Sequence, residues 1–144
     1  MSQNHGLFIE DLEVGQSASV LKTVSDQDIR LFAEITGDSN PVHLDEDYAA
    51  QTPFRGRIAH GMYSAGLISA VLGTHLPGPG AVYLDQSLKF RLPIRPGDEV
   101  ETRVTVTEIN QRRGRVTLST ECYVDGKRVT QGEAVVMVDK KPQA

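Results

Sequence analysis

Gly61-Met62-Tyr63-Ser64-Ala65-Gly66-Leu67-Ile68-Ser69-Ala70-Val71-Leu72-Gly73-Thr74-His75-Leu76, residues 61–76, contains no Asp, Glu, Lys or Arg. Apolar side chains fall on every side of a 3.6-residue spiral. The segment therefore predicts a helix buried nearly all round, not one lying half-wet on a surface. Gly66 and Gly73 lower its helix propensity, and the expected compensation is close approach of another backbone. Pro77-Gly78 stops it. A cylinder this apolar has to be wrapped.

The wrapping comes from downstream. Residues 82–92, 99–109, 115–124 and 127–138 are rich in Val, Thr, Leu and Tyr and predict strands. Val100, Thr102, Val104 and Val106 alternate with Glu101, Arg103, Thr105 and Thr107, and Val116, Leu118, Thr120, Cys122 and Val124 alternate similarly. Such alternation marks strands with one buried and one wet face. Asp125-Gly126 is a hairpin signal, and residues 111–114 fit a looser turn. Residues 134–138 are apolar throughout, so this strand is expected to be covered on both faces. Upstream, residues 18–24 predict a short strand. Ser25 then caps a helix with Asp26 and Asp28 in its first turn and Ile29, Phe32, Ala33 and Thr36 at helical spacing, and Gly37 ends it. Asp45 caps a second short helix through Tyr48, Ala49 and Ala50, which Pro53 ends. One buried helix and four or five long antiparallel strands make a two-layer α+β domain. Its outer strand edges need covering, and pairing with a second subunit is one way to do it.

The chain has 144 residues, enough for one domain. Its net charge of −4 argues against a sequence-independent grip on nucleic acid. Cys122 is the single cysteine, so no intrachain disulfide forms, and the four histidines (positions 5, 43, 60 and 75) lack metal-ligand spacing. No segment reads as a signal peptide or a membrane span, and the start is expected to fray. The expectation is a soluble, cytoplasmic protein with no metal and no cofactor.

Gly37-Asp38-Ser39-Asn40-Pro41-Val42-His43 carries the most chemistry. Asn40-Pro41 can turn the chain so that the Asp38 carboxylate and the His43 imidazole face one water, a general acid–base pair. Read alone, the loop fits more readily with Asp38 capping a turn and His43 packing at a helix start. His60-Gly61-Met62 opens the apolar helix, where the first N–H groups lack internal partners and the helix dipole is positive. Gly61 lets a ligand carbonyl oxygen approach its N–H, as in an oxyanion hole, or merely relieves crowding. His60 reads as a hydrogen-bonded structural histidine. Ser64 is expected to bond back to a carbonyl one turn earlier, while Ser69 is open between that role and ligand contact. Lys89, Arg91 and Arg95 gather where they either meet ligand phosphates or form a solvated face.

Three stretches in order, GDSNPVHLDEDYA (37–49), F-x-G-x-IAHGM (54–62) and YLDQSLKFRLPIRPGDEV (83–100), resemble the MaoC-like (R)-specific enoyl-CoA hydratases of the hot-dog fold. The likeness runs over about residues 14–138 of a single domain spanning 1–144. It implies a five-stranded antiparallel sheet wrapped around the long central helix, and a homodimer. The implied reaction is reversible hydration of trans-2-enoyl-CoA to (R)-3-hydroxyacyl-CoA. The family's catalytic pair falls on Asp38 and His43, its backbone oxyanion donor on Gly61, its loop brace on Asn40, and a serine facing the acyl slot on Ser69. Leu72 is expected to help set the depth of that slot. His43 is expected to act as base and Asp38, if burial raises its pKa, as proton donor. Rival readings are a dehydratase acting on acyl carrier protein, a hot-dog thioesterase, and a non-catalytic acyl-CoA-binding subunit.

Overall fold

The computed structural model describes residues 5–143. A 3-10 turn (Ile9–Asp11) leads into β1 (Ser17–Thr23), α1 (Asp26–Thr36), α2 (Pro41–Leu44), α3 (Glu46–Ala50) and α4 (Gly61–Thr74). Then follow β2 (Val82–Gln86), β3 (Lys89–Phe90), β4 (Glu99–Asn110), β5 (Arg115–Val124) and β6 (Lys127–Met137). The strands form one antiparallel sheet in the order β1-β4-β5-β6-β2, with β3 also on β6. α4 lies against β4, β5 and β1, the hot-dog arrangement.

The predicted alternation is realised. Val100, Thr102, Val104 and Val106 on β4, and Val116, Leu118, Thr120 and Cys122 on β5, are buried. The apolar ones and Cys122 join Ile68, Val71 and Leu72 of α4 in one hydrophobic cluster. Full burial of a side chain such as Ile68 stabilises the fold by ~1.5–3 kcal/mol. α4 is also pinned by polar contacts. Ser64 Oγ donates to the Gly61 carbonyl at 2.7 Å, one turn back as expected, and accepts from Thr130 Oγ1 of β6 at 2.9 Å.

Several expectations are corrected. α4 is not buried all round, because one chain's sheet covers only one side: Met62, Gly66, Ser69, Ala70 and Gly73 are exposed. No other backbone approaches Gly66 or Gly73, where an added Cβ meets nothing within 4 Å. The strand predicted over 82–92 is broken at Ser87-Leu88, so the sheet has six strands. There the Ser87 carbonyl presses on β6 at Gly132, where any Cβ collides with it. Residues 134–138 are not covered on both faces: Ala134, Val136 and Val138 are buried, but Met137 is 37% exposed. The core also begins before residue 14, since Ile9 and Leu12 are buried and the Ile9 N–H donates to the Asp139 carbonyl at 2.9 Å.

α1 places the chemical loop. Ser25 and Asp28 form a reciprocal capping box, and such a cap contributes about 1 kcal/mol. Gly37 ends the helix at φ +80°, a left-handed conformation that an L side chain adopts only at a cost. Asp38 is therefore delivered at a fixed point just past the end of α1.

Candidate active site

The loop from Asp38 to His43 is held by its own turn and by the segment that enters α4. The Asp38 N–H donates to Thr36 Oγ1 at 3.2 Å, and Asp38 Oδ1 accepts from the Asn40 N–H at 3.2 Å. Asn40 Oδ1 accepts from the Val42 N–H at 3.1 Å, capping α2, with Pro41 at the first helical position. His43 Nδ1 lies 2.8 Å from the Ile58 carbonyl oxygen. That oxygen can only accept, so Nδ1 carries the hydrogen and the Nε2 lone pair stays free in the neutral ring. Arg57 Nε donates to the His43 carbonyl at 2.7 Å, and its Nη1 meets Asp26 at 2.6 Å. His60 Nε2 donates to the Asp38 carbonyl at 3.0 Å, and its ring stacks on His43 with centroids 3.8 Å apart.

Asp38, His43 and His60 each bring one oxygen or nitrogen to within 4.8 Å of the others. Asp38, His43 and Gly61 line a single cleft of about 970 Å³, whose other walls include Phe32, Ala65, Ser69, Leu88 and Phe90. His43 is 8% exposed. Burial holds its pKa below the ordinary imidazole value and the neighbouring His60 adds to this, while the Ile58 carbonyl and Asp38 pull the other way. A neutral, hydrogen-bonded imidazole facing an apolar cleft is suited to take a proton from water.

The expected residues are not all in one place. Asp38, His43, Gly61 and Ser69 line the cleft. Asn40 braces the loop but is not part of the cleft wall, because its side chain is spent on the α2 cap. Leu72 is also absent from the wall; at 2% exposed it packs in the core, on the sheet-facing side of α4. Arg91 and Arg95 make protein contacts, to Gln131 Oε1 at 2.8 Å and the Phe54 carbonyl at 2.6 Å. Sequence reasoning missed Arg57 and the Ile58 carbonyl, and it took His60 as structural only. Arg57 and Ile58 sit inside the F-x-G-x-IAHGM stretch, but nothing in it reveals which backbone groups they reach.

One carboxylate and two imidazoles are also the donor set of many metal sites. Here the two rings stack with planes 28° apart. Each ring also gives one nitrogen to a main-chain oxygen, His43 Nδ1 to Ile58 and His60 Nε2 to Asp38.

Comparison with known proteins agrees with this geometry. The family model described as "MaoC like domain" matches residues 11–132. The chain belongs to the MaoC-like family. An (R)-specific enoyl-CoA hydratase of Rhodospirillum rubrum is 58% identical to this MaoC-like chain over 91% of each protein. A 3-hydroxybutyryl-CoA dehydratase of Methylorubrum extorquens is 56% identical over 96% of the MaoC-like chain and 88% of the relative. The unliganded R-hydratase PhaJ1 of Pseudomonas aeruginosa superposes with a TM-score of 0.90 at 44% identity, covering 94% of this chain and 88% of that one. Among the described residues, no helix of the MaoC-like chain is long and apolar enough to cross a membrane.

Proposed function

We propose that this MaoC-like protein is an (R)-specific enoyl-CoA hydratase that adds water reversibly across the double bond of a trans-2-enoyl-CoA. The observation that carries this reading is the meeting of Asp38 and His43, within 4.8 Å, in one apolar cleft that also reaches the first residue of α4. The names of the close relatives supply the substrate class.

In the proposed cycle the thioester oxygen accepts from the Gly61 N–H, where the helix dipole favours the negative charge that grows on it. Water adds to C3 as His43 Nε2 takes one of its protons. Asp38 orients the water and faces the imidazolium as it forms. In this route the proton passes through His43, which returns it to C2. Bonds balance: C3–O and C2–H form, one O–H bond of water breaks, and the enzyme is regenerated. Dehydration runs the same steps in reverse.

The reading includes a homodimer. Tyr83 and Leu84 on the edge strand β2, with Met62 and Phe90, are large exposed hydrophobics that line the cleft, and exposed Val82 continues the same strand. A second copy laid there shields them and screens the cleft from water.

The test is to follow crotonyl-CoA by the loss of enoyl-thioester absorbance, with chiral analysis of the product and a thiol trap. The expected result is (R)-3-hydroxybutyryl-CoA with no free CoA. Release of thiol identifies a thioesterase instead, and an (S) product or tight binding without turnover rejects the assignment.

A further inference from the structure

We propose that His60 is a positioning residue that sets both halves of the acid–base pair at once, and so does more than fill the core. The inference rests on the hydratase reading above. His60 is 2% exposed and sits at the N-cap of α4. Helices favour Ser, Thr, Asp or Asn there, because a short side-chain oxygen can satisfy an orphan N–H of the first turn. His60 makes no such cap bond. Its side chain turns away from its own helix, and Nε2 donates to the Asp38 carbonyl at 3.0 Å.

The other ring nitrogen points the same way. With the hydrogen on Nε2, Nδ1 of the neutral ring is an acceptor, and it is buried without a hydrogen-bond partner. Buried polar groups are nearly always paired. A histidine held only to stabilise the core has no reason to leave one nitrogen orphaned. What the ring makes instead is a flat contact with His43, centroids 3.8 Å apart and planes 28° apart. Phe32 of α1 packs on the same ring at 4.7 Å. One side chain thus fixes the backbone of Asp38, the plane of the His43 imidazole and, through the next peptide, the start of α4 where Gly61 lies.

The titratable groups facing His43 are Asp38 from the loop and His60 from the entry to α4, while Arg57 reaches only its backbone carbonyl. The His60 ring both shields His43 from water and lowers its proton affinity. Its removal moves the acid limb of activity to higher pH.

The experiment compares His60→Gln, His60→Asn and His60→Ala in the full chain, after wild-type hydration of crotonyl-CoA has been shown. Gln carries its amide nitrogen near the position of Nε2 and can keep the Asp38 bond; Asn and Ala cannot. The expected result for Asn and Ala is a fall in kcat of about 10- to 100-fold, the scale of misplacing a reacting group by an ångström, with KM changed by less than about threefold. Gln recovers a large part of kcat. All three shift the acid limb of kcat/KM upward, because all three lose the ring. The proposal is overturned if kcat follows thermal stability across the three variants with no recovery in Gln, or if the acid limb stays where it is. Folded Asn and Ala variants with wild-type kcat overturn it as well. A wild-type protein that does not hydrate enoyl-CoA is a different failure, that of the functional reading itself.

Discussion

Replacing His43 by asparagine lowers turnover of a short 2-enoyl-CoA by about 10²–10⁴-fold, the usual contribution of a general acid–base group. Asparagine is the informative substitution. Its amide nitrogen falls near the place of Nδ1, so the bond to the Ile58 carbonyl survives while the Nε2 base is gone. Alanine removes both, and leaving the part-buried Ile58 carbonyl without this partner costs up to about 1–3 kcal/mol of stability. If His43→Asn and His43→Ala lose the same activity but differ in stability, the loss belongs to the base. In the wild type, kcat/KM falls as pH drops, because a protonated His43 has no lone pair to offer water. Its pKa lies below the ordinary 6.5, so the acid limb is expected below that pH. Asp38→Asn should share the loss of turnover and move the limb further down, since Asp38 is one of the groups that raises the His43 pKa. A His43→Asn protein that folds and turns over at the wild-type rate leaves the mechanism without its base.

Much of this was legible in the residues, for identifiable reasons. The alternation on β4 and β5 named their buried positions, because period two is enforced wherever a strand has one wet face. Ser25 and Gly37 marked the ends of α1, because capping and left-handed turns have narrow chemical requirements. Asp38 and His43 stood out because a turn-prone Asn40-Pro41 separated them. The misses share a different cause. The exposure of Met62 and Gly66 depends on how much of α4 one sheet can cover, and composition carries no such information. The break at Ser87 comes from one backbone pressing on another at Gly132. The contacts of Arg57 and His60 are long-range bonds to main-chain oxygens, and any residue supplies those alike. Leu72 was expected to help set the depth of the acyl slot, yet its side of α4 faces the sheet.

Gly61→Val is expected to lower kcat by about 10²–10³-fold, comparable to removing one donor from an oxyanion hole, or ~2.7–4 kcal/mol of transition-state stabilisation. The substitution leaves the N–H in place and acts by filling the space through which the thioester oxygen reaches it. A Cβ at this position lies 3.1 Å from two atoms of the Phe90 ring. Phe90 is 52% exposed in the single chain, so its ring can shift there and α4 can still form, and a variant that keeps the proposed dimer shows that the shift is tolerated at that interface. That same contact offers a rival explanation, in which valine harms catalysis by displacing Phe90 from the cleft wall. The two causes separate in a double variant. If blocked approach to the N–H is responsible, Phe90→Ala gives its own loss and adds to that of Gly61→Val. If displacement of Phe90 is responsible, the ring's effect is already spent once it is gone, and Gly61→Val costs almost nothing in the Phe90→Ala background. The second pattern removes Gly61 from the mechanism and leaves the thioester oxygen without the donor that the start of α4 was taken to supply.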